Sequence, residues 1–264
     1  MRIFDSHCHI DDKSYDADFQ ETLDRAKDNG VIACMLVGIT LKTCRKAVPL
    51  CEARTHCFTS VGIHPHDAKS CTEEALAELK ELSKSPVVKA WGETGLDFNR
   101  MFSPRDVQEK WFVRQMQLAG ETQLPLIIHE RDTGGRLLEI LRTESPLEAG
   151  GVVHCFSGSR DEMHAYLDLG FYIGITGVIT HKDRGKDLRA MVHEIPEDRL
   201  LVETDAPYLT PSPERNKFRR NEPAFVKRVL EKTADVRGQD VKSLAQSVFA
   251  NTCRLYGINP DTLE

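Results

Sequence analysis

The chain reads as an α/β protein of the (β/α)8 TIM-barrel type, on three observations. Short apolar runs alternate with longer amphipathic stretches from one end to the other, the pattern of parallel strands joined by helical crossovers. Eight such runs can be counted, the number that closes a barrel of this class. Ionisable side chains recur at the carboxyl ends of these runs, where the fold builds its sites. A doubly wound open sheet is the competing architecture.

Residues 3–9 form the first strand, and residues 16–29 an amphipathic helix that Gly30 ends. Residues 31–39 give the second strand and 41–54 its helix; 58–64 give the third strand and 72–84 its helix, with Thr72 as N-cap. The fourth strand, 87–92, leads into a loop Glu-Thr-Gly-Leu-Asp-Phe-Asn-Arg and then a long helix over 104–123. Strands at 126–129, 151–155, 171–176 and 200–203 follow, separated by helices at 132–142, 160–169 and 183–193. Helical segments near 223–237 and 241–256 close the chain. No linker, repeat or low-complexity tract interrupts this order, so residues 1–264 are expected to form a single domain.

Composition narrows the function. Hydrophobic residues make up 40% and charged residues 29%, enough for a sizeable core. A net charge of −6 excludes a polycationic coat for nucleic acid, but not an enzyme whose phosphate contacts are confined to a cleft. None of the eight cysteines forms a C-x-x-C pair, which suits reduced thiols in a cytoplasmic protein. The N-terminus, MRIFDSHCHI, has no secretory signal pattern, and the longest apolar stretch, 31–39, falls far short of the roughly 20 residues that cross a bilayer. No membrane association and no obligate protein partner is expected.

His7 and His9 close strand one, Glu93 follows strand four, His129 closes strand five, His154 closes strand six and Asp205 follows strand eight. In the predicted fold these ends share one face. Strand alternation turns His7 and His9 the same way and Cys8 to the other side. Each histidine alone reads as a hydrogen-bonded structural residue. Four histidines and two carboxylates at matching ends of five strands instead form a metal-ligand set, because burying so many polar groups without a cation or substrate is costly. Asp205 also suits a general base.

The stretches DSHCHID, GIHPHDA, GETGLDF, HERD, HCFSGS, YIGITG, LLVETDAPYL and RRNEP, in this order, resemble the TatD family of metal-dependent hydrolases, related to the amidohydrolase superfamily. The resemblance implies a two-metal centre: one cation at His7, His9, Glu93 and Asp205, the second at Glu93, His129 and His154, with Glu93 bridging. It implies hydrolysis of phosphodiester bonds, as a 3′–5′ exonuclease on single-stranded DNA, with RNA as a further substrate. His64 would lie near the substrate phosphate, and Arg220 and Asn221, within the basic segment that also holds Arg215, Lys217 and Arg219, would touch substrate. Arg131 is a candidate phosphate contact, with a salt bridge to Asp132 or Glu130 as the other reading.

Position 130 departs from the many relatives with Cys or Ser there; Glu130 should point away from the metals and act structurally. Glu203 and Asp97 are candidates to orient a ligand. His66 reads as an exposed loop residue, and His56, His164, His181 and His193 as surface residues. The family is associated with magnesium, whereas four imidazoles suit zinc, manganese, cobalt or nickel. The same centre could serve a D-aminoacyl-tRNA deacylase or a small-molecule amidohydrolase or lactonase. The lack of a lysine at the strand-four position, where Glu93 stands, counts against the commonest binuclear amidohydrolase.

Overall fold

The structure, a computed structural model, describes residues 1–144 and 150–263. In chain order the strands and helices are β1 (Ile3–Cys8), α1 (Phe19–Asp28), β2 (Val31–Leu36), α2 (Leu41–Glu52), β3 (Cys57–Val61), α3 (Glu73–Leu82), β4 (Val88–Asp97) and α4 (Arg105–Thr122). They continue with β5 (Leu126–Arg131), α5 (Arg136–Glu144), β6 (Gly151–Val153), α6 (Arg160–Asp168), β7 (Tyr172–Ile175), α7 (Lys186–Met191), β8 (Leu200–Val202), α8 (Val226–Arg237) and α9 (Val241–Leu255).

The strand order is β1-β2-β3-β4-β5-β6-β7-β8. A doubly wound sheet reverses its strand order at a switch point. This one never does, and the fold class is (β/α)8.

The residues group into two compact units, 1–36 with 173–264 and 37–172. In the first, β1 pairs in parallel with β2 (Ile3 beside Val31, Cys8 beside Leu36) and β7 with β8 (Ile173 beside Leu200, Ile175 beside Val202). In the second, β3, β4, β5 and β6 pair in parallel in sequence order, with Val61 beside Trp91, Gly95 beside His129, and Ile128 beside Val153. Every residue of β1, β6, β7 and β8 is buried, as parallel strands covered on both faces must be.

Strand β4 does not stop at residue 92. It continues through the expected loop, and Thr94, Gly95, Leu96 and Asp97 pair with Ile128, His129, Glu130 and Arg131. Gly95, at φ +142°, permits this: a Cβ there would lie 2.0 Å from the carbonyl oxygen of His129. Strand β6 is shorter than expected and ends at Val153, so His154 and Cys155 lie just past it. Cys155 has a φ of +47°, and strand alternation does not govern its direction. Helix α1 starts late because Asp12 caps a separate 3-10 turn over Lys13–Tyr15. Thr72 caps α3 as expected, and Thr40 and Thr43 form a reciprocal capping box at α2. All eight cysteines are free, and no described helix is long and apolar enough to cross a membrane.

Candidate functional site

In the first unit, β1 delivers His7 and the following turn delivers His9. Their Nε2 atoms lie 3.2 Å apart, and both side chains are buried. Asp205 Oδ1 lies 3.4 Å from His9 Nε2 and 3.8 Å from His7 Nε2. Asp205 itself has a φ of +56°, a conformation uncommon outside glycine, so its neighbours must hold it there. They do so with backbone bonds: the Asp205 N–H donates to the His7 carbonyl (2.9 Å) and the His9 N–H to the Ala206 carbonyl (2.6 Å).

Two buried side chains complete this frame. Asp5 accepts the Thr204 N–H (2.8 Å) and hydroxyl (2.6 Å), and the Thr204 hydroxyl oxygen in turn accepts the Ala206 N–H (3.1 Å). Burial pushes the Asp5 carboxyl up to about 8, against the lowering effect of the Thr204 hydrogen bonds. Asn221 donates to the carbonyls of Thr204 (2.9 Å) and Tyr208 (2.6 Å) and accepts the Glu222 N–H (2.9 Å).

In the second unit, strand periodicity puts Glu93, Gly95 and Asp97 on one face of β4, with His129 in register beside Gly95. The His129 ring spans the two carboxylates: Nδ1 lies 2.9 Å from Glu93 Oε1 and Nε2 lies 3.2 Å from Asp97 Oδ2. Glu93 Oε1 is also 3.3 Å from His154 Nε2 and 3.4 Å from His64 Nε2. One carboxylate oxygen thus has three imidazoles around it. Asp97 Oδ2 lies 2.7 Å from His66 Nε2, while its Oδ1 accepts the N–H groups of Asn99 (3.0 Å) and Arg100 (2.7 Å).

Helix α4 braces this cluster through two buried glutamines seven residues, or about two turns, apart. Gln115 accepts the Ile63 N–H (2.8 Å) and donates to the Ile63 carbonyl (3.0 Å), fixing the peptide before His64. Gln108 does the same for Asp97, at 2.8 and 3.0 Å, and also donates to the Ser103 carbonyl (2.7 Å).

Burial alone would push Glu93 up. The neighbouring His154 and His64 and the hydrogen bonds of His129 outweigh it and hold the carboxyl well below its ordinary range. Asp97 behaves likewise: burial raises it, and the hydrogen bonds from His129, His66 and the Arg100 N–H more than reverse that. For His129, burial would lower the imidazole, but Asp97 and Glu93 raise it. His64 falls to about 4, because burial outweighs the attraction of Glu93.

These donor sets suit divalent cations. Nitrogen and oxygen ligands about 2.0–2.2 Å from one cation lie roughly 3.0–3.5 Å from their neighbours, and Glu93 Oε1 meets its imidazoles at 2.9, 3.3 and 3.4 Å. Asp97 beside His129 Nε2 stands where a carboxylate would fix the tautomer of a ligating imidazole and leave the Nδ1 lone pair for a cation.

The first unit therefore brings together His7, His9 and Asp205, and the second Glu93, His129 and His154, with His64 beside Glu93. Two readings need correction, those of His66 and His181 as surface residues. His66 is no exposed loop residue but a half-buried partner of Asp97. His181 is buried, its Nε2 3.0 Å from the Thr210 carbonyl. Asn221, expected to touch substrate, has 0% exposure and both ends of its amide are engaged in shaping the Asp205 loop. Arg220 is held by both oxygens of Asp18 (2.7 and 2.6 Å) and by the Ser14 carbonyl, with its guanidinium over the Tyr15 ring. A substrate phosphate would have to displace that carboxylate.

Arg131 shows the reverse. Asp132 accepts from Asn99, and Glu130 accepts the Thr133 N–H and hydroxyl, leaving Arg131 with no ion pair among the described residues. Glu130 is structural, as expected. The buried glutamines of α4 and the His66–Asp97 pair escaped sequence reasoning; Gln108 and Gln115, repeating at a helical interval on the same side as Trp111, were the available signal.

The sequence model of the TatD-related DNase family matches residues 4–257. The chain belongs to this family. It is 40% identical over 257 residues to a Bacillus subtilis (strain 168) protein named uncharacterized metal-dependent hydrolase YabD, covering 97% of this chain and 100% of the relative. It is 39% identical over 260 residues to the 3′-5′ ssDNA/RNA exonuclease TatD of Rahnella sp. (strain Y9602), covering 97% and 99%. Among solved structures it resembles YjjV, a TatD homolog from Escherichia coli K12, with a TM-score of 0.91, 29% identity and coverage of 98% and 99%.

Proposed function

We propose that this chain is a divalent-cation-dependent phosphodiesterase that shortens single-stranded DNA, and RNA, from the 3′ end. The observation that carries this reading is Glu93 Oε1, within 3.4 Å of nitrogens from His64, His129 and His154 in a buried pocket of charge-stabilising imidazoles. The names of the relatives at about 40% identity support the substrate class.

His7, His9 and Asp205 would hold one cation, and Glu93, His129 and His154 a second. Such cations polarise a phosphoryl oxygen and make water acidic near neutral pH. The chain supplies the rest. Asp205 takes the proton of the attacking water at a carboxylate oxygen. His64 accepts the His66 N–H at Nδ1 (3.1 Å), so its Nε2 carries the proton and donates to a phosphate oxygen. Arg131, free of ion pairs among the described residues, neutralises backbone phosphate.

The imidazole-rich donors favour zinc, manganese, cobalt or nickel, with magnesium able to support turnover. The free thiols suit the cytoplasm, and a single family model over residues 4–257 supports reading the chain as one domain. The test is cleavage of 3′-labelled and 5′-labelled single strands with magnesium, manganese or chelator. Stepwise loss from the 3′ end, abolished by chelator, is expected; no cleavage with any cation would overturn the reading and favour ester or lactone substrates.

A further inference from the structure

Three aromatic side chains are exposed among the described residues, Phe102, Tyr208 and Phe218. Phe102, 55% exposed, sits beside the second-unit cluster with its ring edge-on to His66 at 4.7 Å between centroids. Its neighbour Met101 is 42% exposed, and its φ of +50° turns the chain at the loop tip.

The loop that presents these apolar side chains is firmly tied down. Asp97 Oδ1 accepts the N–H groups of Asn99 and Arg100, and the Asn99 amide donates to Asp132 (2.6 Å). On the far side, the Ser103 hydroxyl donates to the His66 carbonyl (2.9 Å) and accepts the Lys69 N–H (3.0 Å). A water-exposed Met-Phe pair fixed at both flanks has lost its conformational freedom before any ligand arrives, which favours binding.

Charge identifies the ligand. Arg100 is exposed on the same loop, and Arg131 lies on β5 paired with Asp97, free of ion pairs among the described residues. An exposed aromatic face on a loop that also carries an exposed arginine suits a planar base attached to a phosphate.

We infer that Phe102 is a stacking platform for a nucleobase of the single strand, placed so that a strand whose base lies on it passes the Glu93–His129–His154 cluster. This rests on the phosphodiesterase reading and extends it to selectivity: base faces are open in a single strand and covered in a duplex. Stacking of this kind changes affinity by about 5- to 100-fold per base.

The test measures kcat and KM of the metal-loaded wild type, Phe102→Ala and Phe102→Trp on two single-stranded oligonucleotides. One is natural; in the other the bases of the 3′-terminal nucleotides are replaced by abasic tetrahydrofuran residues. Phe102→Ala is expected to raise KM about 5- to 100-fold on the natural strand with little change in kcat, and to match wild type on the abasic strand. Phe102→Trp should restore the natural-strand KM. Equal KM for Phe102→Ala and wild type on the natural strand, or an equal loss on both strands, would overturn the platform while leaving the phosphodiesterase intact. No cleavage of either strand by wild type would overturn both.

Discussion

The two ligand clusters are held in different ways. In the first unit, His7, His9 and Asp205 are fixed by the backbone: Asp205 and His9 donate their N–H groups to the carbonyls of His7 and Ala206, and Asp5 and Asn221 clamp the residues around them. In the second unit, side chains hold side chains, with His129 between Glu93 and Asp97, and His66 sharing with His129 the same Asp97 oxygen, Oδ2. Damage to the first frame should therefore appear as lost fold stability. Damage to the second should appear as lost cation affinity in a chain that still folds.

The largest effects fall on the candidate ligands, where the clusters should behave alike. Glu93→Gln and Asp205→Asn should each lower kcat by about 10³-fold or more in a strand-cleavage assay, with circular dichroism unchanged. A ten-fold loss in only one of them would mean that only one cluster serves the chemistry.

Asn221→Ala should separate the frames. It strands the Thr204 carbonyl and the Glu222 N–H in a buried site and the Tyr208 carbonyl in a half-buried one, a cost of about 3 kcal/mol. In a domain of this size that lowers Tm by roughly 6–12 °C, readable by calorimetry. Asp97→Asn should act on the other frame: an amide facing His129 Nε2 favours the wrong tautomer and turns the Nδ1 lone pair into an N–H. Cation affinity should fall about 10- to 100-fold, and excess manganese should recover part of the activity.

The smallest effect lies at Asp18. Hydrogen bonds from Arg220 first, then Arg25, hold its carboxyl below the ordinary value of 3.8. A depressed carboxylate contributes stability that is present above that value and lost as pH falls through the folded pKa. Asp18→Asn should cost about 1 kcal/mol at pH 7, given partial exposure of both partners, and the difference should vanish as both proteins are unfolded at progressively lower pH below about 4.

Which strands carry the six candidate ligands was legible because period-2 and helical patterns place them without knowledge of contacts, although Glu93 and His129 stand within β4 and β5 and not at the ends expected for them. The second half of β4 was not, since Gly92 and Gly95 break the apolar run exactly where backbone must pass close to Ile127 and His129. Nor were the partners around the ligands. The basic look of the segment near Arg220 suggested phosphate contact, yet Asp18, some 200 residues away in sequence, neutralises that arginine. Charge along the chain cannot reveal a pairing made only in three dimensions. His66 was missed for the same reason, its carboxylate lying 31 positions further on.

The central claim is that each cluster holds a cation. Calorimetric titration of manganese into metal-free protein, followed by metal analysis of the desalted complexes, measures it directly for wild type, His9→Ala and His154→Ala. Two cations in wild type and one in each variant are predicted; a single cation in wild type, or two retained by either variant, would contradict it.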